Sequence, residues 1–180
     1  MVSKQYDYLI LGARGFIGSN LCAFLLSRGS SVIGIDLRSE GHSLIDSISE
    51  ESKINFRYEN LDATDPQKII DVLEQFDCKV VINAAAAAAV IEKAHANPFS
   101  SITDNIRIVT AVAEAIRNTG ADKRHLVHLS TDKVYGELSE KAYLESTNSR
   151  NPTGAYEASK VASDIIVETY SSVYGLKTTV

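Results

Sequence analysis

Cysteine, excess positive charge and unbroken apolar stretches are all scarce in this sequence, and each shortage removes a class of function. The two cysteines, Cys22 and Cys78, stand singly in apolar patterns without C-x-x-C spacing. They read as small buried hydrophobes rather than as a disulfide or a nucleophile. A net charge of −5, a pI near 5.4 and no run of Lys/Arg leave no basic field to follow a phosphate backbone, so nucleic acid is not an expected partner. No segment reaches the ~18 uninterrupted apolar residues of a membrane span, and residues 1–7 lack the apolar core of a secretory signal. The expectation is no membrane partner and a cytoplasmic location. His42, His95, His125 and His128 never fall at the spacing of metal ligands on a helix, so no metal site is expected. His128, between Val127 and Leu129, reads as a satisfied half-buried residue rather than an acid or base.

What is present is alternation. With 180 residues, 44% hydrophobic and 23% charged, the chain has apolar material for one compact core, and residues 1–180 are expected to form one domain. Tyr6–Leu11 is a short apolar run, and helical spacing through Ile17, Leu21, Phe24 and Leu25 follows over residues 16–28. A second strand covers 31–36 and a third 54–58. Asp65-Pro66 opens a helix through Ile69, Ile70 and Leu73, and Val80–Ile82 is a strand. Asn97-Pro98 starts a long helix through Ile106, Val109 and Val112, stopped near Gly120, and 125–130 is a strand. Residues 137–154 form a polar loop with Glu140, Ser146, Asn148, Asn151, Pro152 and Gly154, of a length that usually serves a site. A last helix over 156–170 carries Val161, Ile165 and Ile166 on one side, and 176–180 reads as a strand beginning as the sequence stops. This order predicts an α/β fold, a Rossmann-type doubly wound parallel sheet, with ligands beyond the carboxyl ends of the strands.

Gly12, Gly15 and Gly18 leave the first strand and open the first helix, the context in which a glycine triplet signals dinucleotide binding. Gly12 suits a tight turn, Gly15 lets backbone approach a pyrophosphate and Gly18 lets helix and strand pack closely, while the free N–H groups around Phe16 and Ile17 face the anion. Asp36 ends the second strand, where its carboxylate can accept both hydroxyls of an adenosine ribose and repel the 2′-phosphate of NADP, which favours NAD. Arg14 and Arg38 vote the other way, since either can pair with that phosphate, so NADP stays open. Arg14 reads equally as a solvent-facing charge. Tyr156 and Lys160 lie one helical turn apart on one face, and an ammonium close to a phenol stabilises phenolate, giving a base. By itself such a pair reads as an exposed i,i+4 contact. Thr131 reads as a cap or turn residue, and Asp62 as capping the turn Asp62-Ala63-Thr64-Asp65.

The G-x-x-G-x-x-G spacing, together with Tyr156-Glu157-Ala158-Ser159-Lys160, resembles the extended short-chain dehydrogenase/reductases of the NAD-dependent epimerase/dehydratase group. The resemblance takes in Asp62, Asn83-Ala84-Ala85-Ala86, Asn97-Pro98 with Asn105, and Ser130-Thr131-Asp132-Lys133-Val134-Tyr135-Gly136, and spans essentially the whole chain. It implies a Thr131/Tyr156/Lys160 catalytic set, with Lys160 also on the nicotinamide ribose, and cofactor contacts from Asp62, Ala63, Ala84, Ala85 and Asn105. Asp132-Lys133 favours the 4,6-dehydratases. There, oxidation of C4 of a nucleoside-diphosphate hexose acidifies the C5 proton, and an acid/base pair then expels the C6 hydroxyl. Asp132 would protonate the leaving group, whereas Lys133 departs from the Glu of the commonest dehydratases. The small residues Ala87–Ala89 also depart from the family pattern and suit packing against the cofactor. A C4 epimerase or keto-sugar reductase, and a non-catalytic dinucleotide-binding module, are the alternatives. The resemblance further implies a C-terminal substrate domain absent from these residues, and a homodimer through the helices at 98–118 and 156–170.

Overall fold

The computed structural model describes residues 4–39, 44–87, 91–137 and 150–180. Six strands, β1 (Lys4–Leu11), β2 (Val32–Asp36), β3 (Phe56–Asn60), β4 (Phe76–Asn83), β5 (His125–His128) and β6 (Lys177–Thr179), form one sheet in the order β3-β2-β1-β4-β5-β6. Every pairing is parallel. The chain winds outward from β1 to β3, returns to place β4 beside β1 and winds outward the other way. The crevice beyond β1 and β4 is therefore the switch point where such sheets hold ligands. Register brings the strand ends together there: Leu11 faces Ile35 and Asn83, and Asn83 faces His128.

Helices cover both faces. Period-two alternation sends Leu9, Leu11, Ile33 and Ile35 into one core layer with Ile69 and Leu73 of α3 (Pro66–Gln75), Val109 and Ile116 of α5 (Pro98–Gly120) and Val167 of α6 (Ala155–Tyr174). Ile10, Val32 and Ile82 point the other way, under Cys22 and Leu26 of α1 (Phe16–Ser27) and Ile45 of a 3-10 turn (Leu44–Ser47). Each fully buried Leu, Ile or Val contributes about 1.5–3 kcal/mol. Burial lifts the Cys22 thiol to about 12 and the Cys78 thiol to about 11, so both are inert packing residues, as the sequence suggests. The helix starts follow local chemistry. Asp65 accepts from Gln67 N–H and Asn97 from Ser100 N–H, each with proline in the next position.

Several expectations shift. Short helices α2 (Glu50–Lys53) and α4 (Ile91–Ala96) join the plan, β4 starts already at Phe76, and β3 begins two residues late, leaving Ile54 74% exposed. On α1 the buried residues are Gly18, Ser19, Cys22 and Leu26, while Ile17 and Phe24 face solvent. On α6 the inward residues are polar: Glu157, Ser159, Lys160, Ser163 and Asp164 are buried beside Val167, and Ile165 is exposed. Apolar spacing misread these helices because their inner faces meet a glycine turn and a polar site rather than a plain core. Within the expected loop, Glu140, Ser146 and Asn148 lie outside the described residues, as do Ala88 and Ala89. Among the described residues no helix is long and apolar enough to cross a membrane, and no group of His, Cys, Asp and Glu is arranged to hold a metal ion.

Candidate active site

The first part of the site is a turn set by backbone. Gly12 and Ala13 N–H groups both donate to Ile35 O, at 2.8 and 3.0 Å, and Gly15 N–H donates to Gly12 O at 2.9 Å. Gly12 takes φ +76°, and a Cβ there would meet the Ala84–Ala85 backbone at 2.8 Å. A Cβ on Gly18 would sit 2.1 Å from Gly12 O. Only glycine closes this turn. Gly15 is the N-cap of α1, so the free first-turn N–H groups open outward, with Phe16 87% and Ile17 55% exposed.

Asp36 locks the turn to the end of β2. Its Oδ2 accepts from the Arg14 N–H at 2.8 Å, and its Oδ1 accepts from the Arg38 N–H at 3.0 Å and Nε at 3.2 Å. Burial alone would raise this carboxyl, but the hydrogen bonds from the Arg38 side chain and backbone and from the Arg14 backbone outweigh it and hold it below the usual carboxylate range. Arg14 is not the solvent-facing charge weighed from sequence. Its side chain is 8% exposed, its guanidinium pairs with Asp46 at 2.8 Å and it lies over the Tyr58 ring. Arg38 is likewise engaged, with Asp36. Asp62 accepts from Thr64 N–H at 2.9 Å, which makes it the cap of its turn, and Ala63 packs against the core.

The second part lies at the ends of β4 and β5. Ala84 N–H donates to Leu11 O, and Ala85 N–H donates to Asn83 Oδ1 at 3.2 Å. Asn83 must then turn its Nδ2 donor to His128 Nδ1, 3.2 Å away. Because that ring nitrogen accepts, the neutral imidazole carries its proton on Nε2. Nε2 lies 3.3 Å from Lys160 Nζ and 3.9 Å from Asp164 Oδ1. Two donors thus face each other, and the Lys160 ammonium donates instead to Leu129 O. Asp164 accepts from Ser130 at 2.7 Å through Oδ2, while its Oδ1 is buried without a hydrogen-bond partner. Burial pushes Lys160 down to about 8 against the pull of Asp164, drives His128 to about 3 and raises Asp164. Asn105, 5% exposed, accepts from Ala87 N–H at 2.7 Å and donates to Ser159 at 2.8 Å, so it ties the strand-end loop to α6.

Tyr156 is half-buried on the first turn of α6, and Thr131 caps a 3-10 turn (Asp132–Tyr135) by accepting from Lys133 N–H at 3.3 Å. The Thr131 hydroxyl donates to the exposed Asp132 at 3.2 Å. The sequence placed the Lys160 ammonium against the phenol, but in this structure it donates to Leu129 O. The phenol is raised by burial and by Glu157 and Asp132, rather than lowered. His128, read from the sequence as a satisfied half-buried residue, does find a partner in Asn83 but is fully buried at 3% exposed, and Asp164 was not singled out. Asp164 was findable, because Tyr156, Lys160 and Asp164 recur every four residues on one helix face; His128 gave only its place at a strand end.

A glycine turn on the first strand of a doubly wound sheet, with an acid at the end of the second, defines a dinucleotide-binding α/β domain. The model of the NAD dependent epimerase/dehydratase family matches residues 8–180, and the chain belongs to that family. It is 31% identical over 176 residues to a dTDP-glucose 4,6-dehydratase of Xanthomonas campestris pv. campestris, covering 94% of this chain and 50% of that protein. It is 34% identical over 170 residues to a UDP-glucose 4-epimerase of Mycolicibacterium smegmatis, covering 93% and 52%. The structure of a Thermus thermophilus UDP-glucose 4-epimerase in complex with NAD superposes with a TM-score of 0.82 at 28% identity, over 96% of this chain and 53% of that one. The chain spans about half the length of the curated relatives it matches.

Proposed function

We propose that residues 1–180 form the NAD-binding part of an enzyme that oxidises C4 of a nucleoside-diphosphate hexose and then eliminates water across C5 and C6. The observation that carries this reading is a continuous chain of contacts from the glycine turn through Ala85, Asn83 and His128 to Lys160. The residues fit the cofactor: a turn that a Cβ would fill, open helix N–H groups and a pinned, ionised Asp36 suit a pyrophosphate and an unphosphorylated ribose. Bound NAD would accept the C4 hydride and give it back at C6 once water has left, so that the cofactor ends as it began. Gly12, Gly15, Phe16, Ile17 and Gly18 would face its phosphates, Asp36 its adenosine ribose, Asp62 and Ala63 its adenine, and Ala84, Ala85 and Asn105 its central part.

Tyr156 takes the proton of the sugar hydroxyl, Thr131 hydrogen-bonds the same oxygen, and Lys160 holds the second ribose while lowering the phenol. Asp132, exposed at the strand end, gives its proton to the departing C6 hydroxyl, with Lys133 beside it as candidate C5 base. The test is calorimetric titration of the chain with NAD and NADP, followed by NMR of the products that the whole enzyme forms from a nucleoside-diphosphate glucose. NAD binding and loss of the C6 hydroxyl are expected, and retention of that hydroxyl would overturn dehydration. The similarity to a UDP-glucose 4-epimerase favours C4 epimerisation as the second reading, with inversion at C4 as its product signature. Loss of turnover in Tyr156→Phe separates both from a non-catalytic module. The same reading carries a cytoplasmic location and a homodimer through α5 and α6, where Phe99 is 77% and Ile165 48% exposed. Ile165→Asp is expected to shift sedimentation to a monomer.

A further inference from the structure

Behind Lys160 lie two buried groups to which the proposed reaction gives no task, His128 and Asp164, each 3% exposed. Lys160 is itself 4% exposed, so little water supports its charge. Asn83 takes up His128 Nδ1, which leaves the ring Nε2–H between Lys160 Nζ at 3.3 Å and Asp164 Oδ1 at 3.9 Å. Toward the ammonium it is a donor meeting a donor. Toward the carboxylate it faces an acceptor oxygen that has no hydrogen bond of its own. Asp164 lies one helical turn beyond Lys160 on α6, and Ser130, after β5, binds its other oxygen at 2.7 Å, so helix and strand end together fix where the carboxyl sits. Among the described residues Asp164 is the charge that acts on Lys160, against burial. The other charges near this face of α6 are engaged elsewhere. Arg150 and Glu168, which act on Asp164 in opposite senses, pair with each other; Glu114 of α5 takes Tyr170, Lys177 of β6 reaches Asp122 O, and Asp132 acts on Tyr156.

We propose that Asp164 is a positioning residue for the base: across the His128 ring, its carboxylate supplies the buried counter-charge that keeps Lys160 an ammonium. The inference rests on the reading that Tyr156 and Lys160 serve hydride transfer at a sugar carbon. A buried amine without a counter-charge gives up its proton, and a neutral Lys160 does not stabilise a phenolate. A carboxylate in direct contact would do the opposite harm, since it would hold the ammonium in a tight pair away from phenol and ribose. The His128 ring keeps the charge near without that pair, so the hydrogen bond of the ammonium goes to Leu129 O at the strand end rather than to Asp164.

The experiment follows Lys160 across pH by carbon NMR of its Cε in the chain, assigned by loss of the signal in Lys160→Met, together with the pH profile of kcat/KM in the whole enzyme. In the unaltered chain the ammonium should lose its proton at about 8. Asp164→Asn keeps the shape and an oxygen for Ser130; it is expected to weaken proton binding by Lys160 about tenfold, and the alkaline limb of the profile should move down by about one unit. Glu168→Gln neutralises a 53% exposed acid on the same helix and should shift Lys160 less than about twofold. An unmoved Lys160 in Asp164→Asn, an equal shift in Glu168→Gln, or a shifted Lys160 with an unmoved alkaline limb overturns the role of Asp164. Should Asp164→Asn fail to fold, Asp164→Ala, which sets no amide against the His128 N–H, carries the same test with the same expected shift. Full turnover in Tyr156→Phe instead overturns the reading of the base, while the coupling of Asp164 to Lys160 would stand in the NMR titration.

Discussion

The glycine turn and the Tyr156–Lys160 end of the site sit at the same edge of one sheet, yet they are built on different terms. The turn is complete without a ligand: its shape comes from backbone hydrogen bonds to Ile35, from steric demands at Gly12 and Gly18, and from an Asp36 whose charge is already satisfied. The other end is held together by long side chains in a buried polar cluster where Lys160 and His128 turn donors toward each other and Asp164 Oδ1 lacks a hydrogen-bond partner. There the lysine faces a carbonyl rather than the phenol, and the phenol is raised rather than lowered. On the proposed function, anion binding is preorganised, whereas the base has to be made when cofactor and substrate arrive.

The sharpest way to break this contrast is at Gly18. Alanine there would place Cβ 2.1 Å from Gly12 O, and backbone cannot yield as a flexible side chain would. Gly18→Ala is expected to cost about 3 kcal/mol in urea unfolding and to abolish dinucleotide binding. A cost under ~1 kcal/mol would mean that the turn is deformable, and the contrast would fail.

Next in size is the acid response of His128. Its pKa in the folded chain, about 3, lies below the usual 6.5, because of burial and then Lys160. The unfolded chain therefore takes up this proton first. The stability contributed by neutral His128 is fully present above pH 6.5 and is lost as pH falls towards 3, at up to about 1.4 kcal/mol per unit. Asp164, raised from 3.8, opposes it: its preference for the protonated form adds stability as pH falls. The window just below 6.5 is where His128 dominates. Urea unfolding should show a positive slope of stability against pH there, flattened in His128→Gln; an identical slope in both would remove His128 from the cluster's electrostatics.

The contrast also explains what could be read in advance. The succession of strands and helices along the chain, the glycine turn, Asp36 and the proline-led helix starts were legible because each depends on residues within a few positions of one another. The partners of Arg14, Lys160 and Asn83 were not. Asp46 is 32 residues from Arg14, His128 is 32 from Lys160 and 45 from Asn83, and nothing local selects one acceptor over another at such separations. Local chemistry did foretell the bland roles: Thr131 caps its turn and Asp62 caps Thr64. The polar inner face of α6 misled because amphipathic reading assumes that buried means apolar.

Tyr156 sharpens the comparison more directly. In the free chain its phenol is raised above 10 by burial, Glu157 and Asp132. An ultraviolet difference titration between the unaltered chain and Tyr156→Phe should place its ionisation above that value. With NAD bound, the positive nicotinamide ring and a redirected Lys160 should lower it by about one unit. A free chain whose Tyr156 ionises below 10 would show that the base is preformed after all.

The smallest effect is expected away from both ends, where α5 and α6 meet. Glu114 accepts from Arg117 at 2.5 and 2.9 Å, from Asn118 at 3.2 Å and from the Tyr170 hydroxyl at 3.1 Å. These bonds, Arg117 foremost, hold its carboxyl down at about 2, so its contribution is present above pH 4.5 and lost as pH falls through 2. The Glu114 side chain is 31% exposed, so solvent screens the cluster and the energy at stake is small. Tyr170→Phe removes one hydrogen bond without opening a cavity and should cost about 0.5–1 kcal/mol in urea unfolding. Its value lies in locality. If the phenol titration of Tyr156 moves as far in Tyr170→Phe as in His128→Gln, then the base is governed by helix packing in general, and the buried cluster behind Lys160 loses its special place.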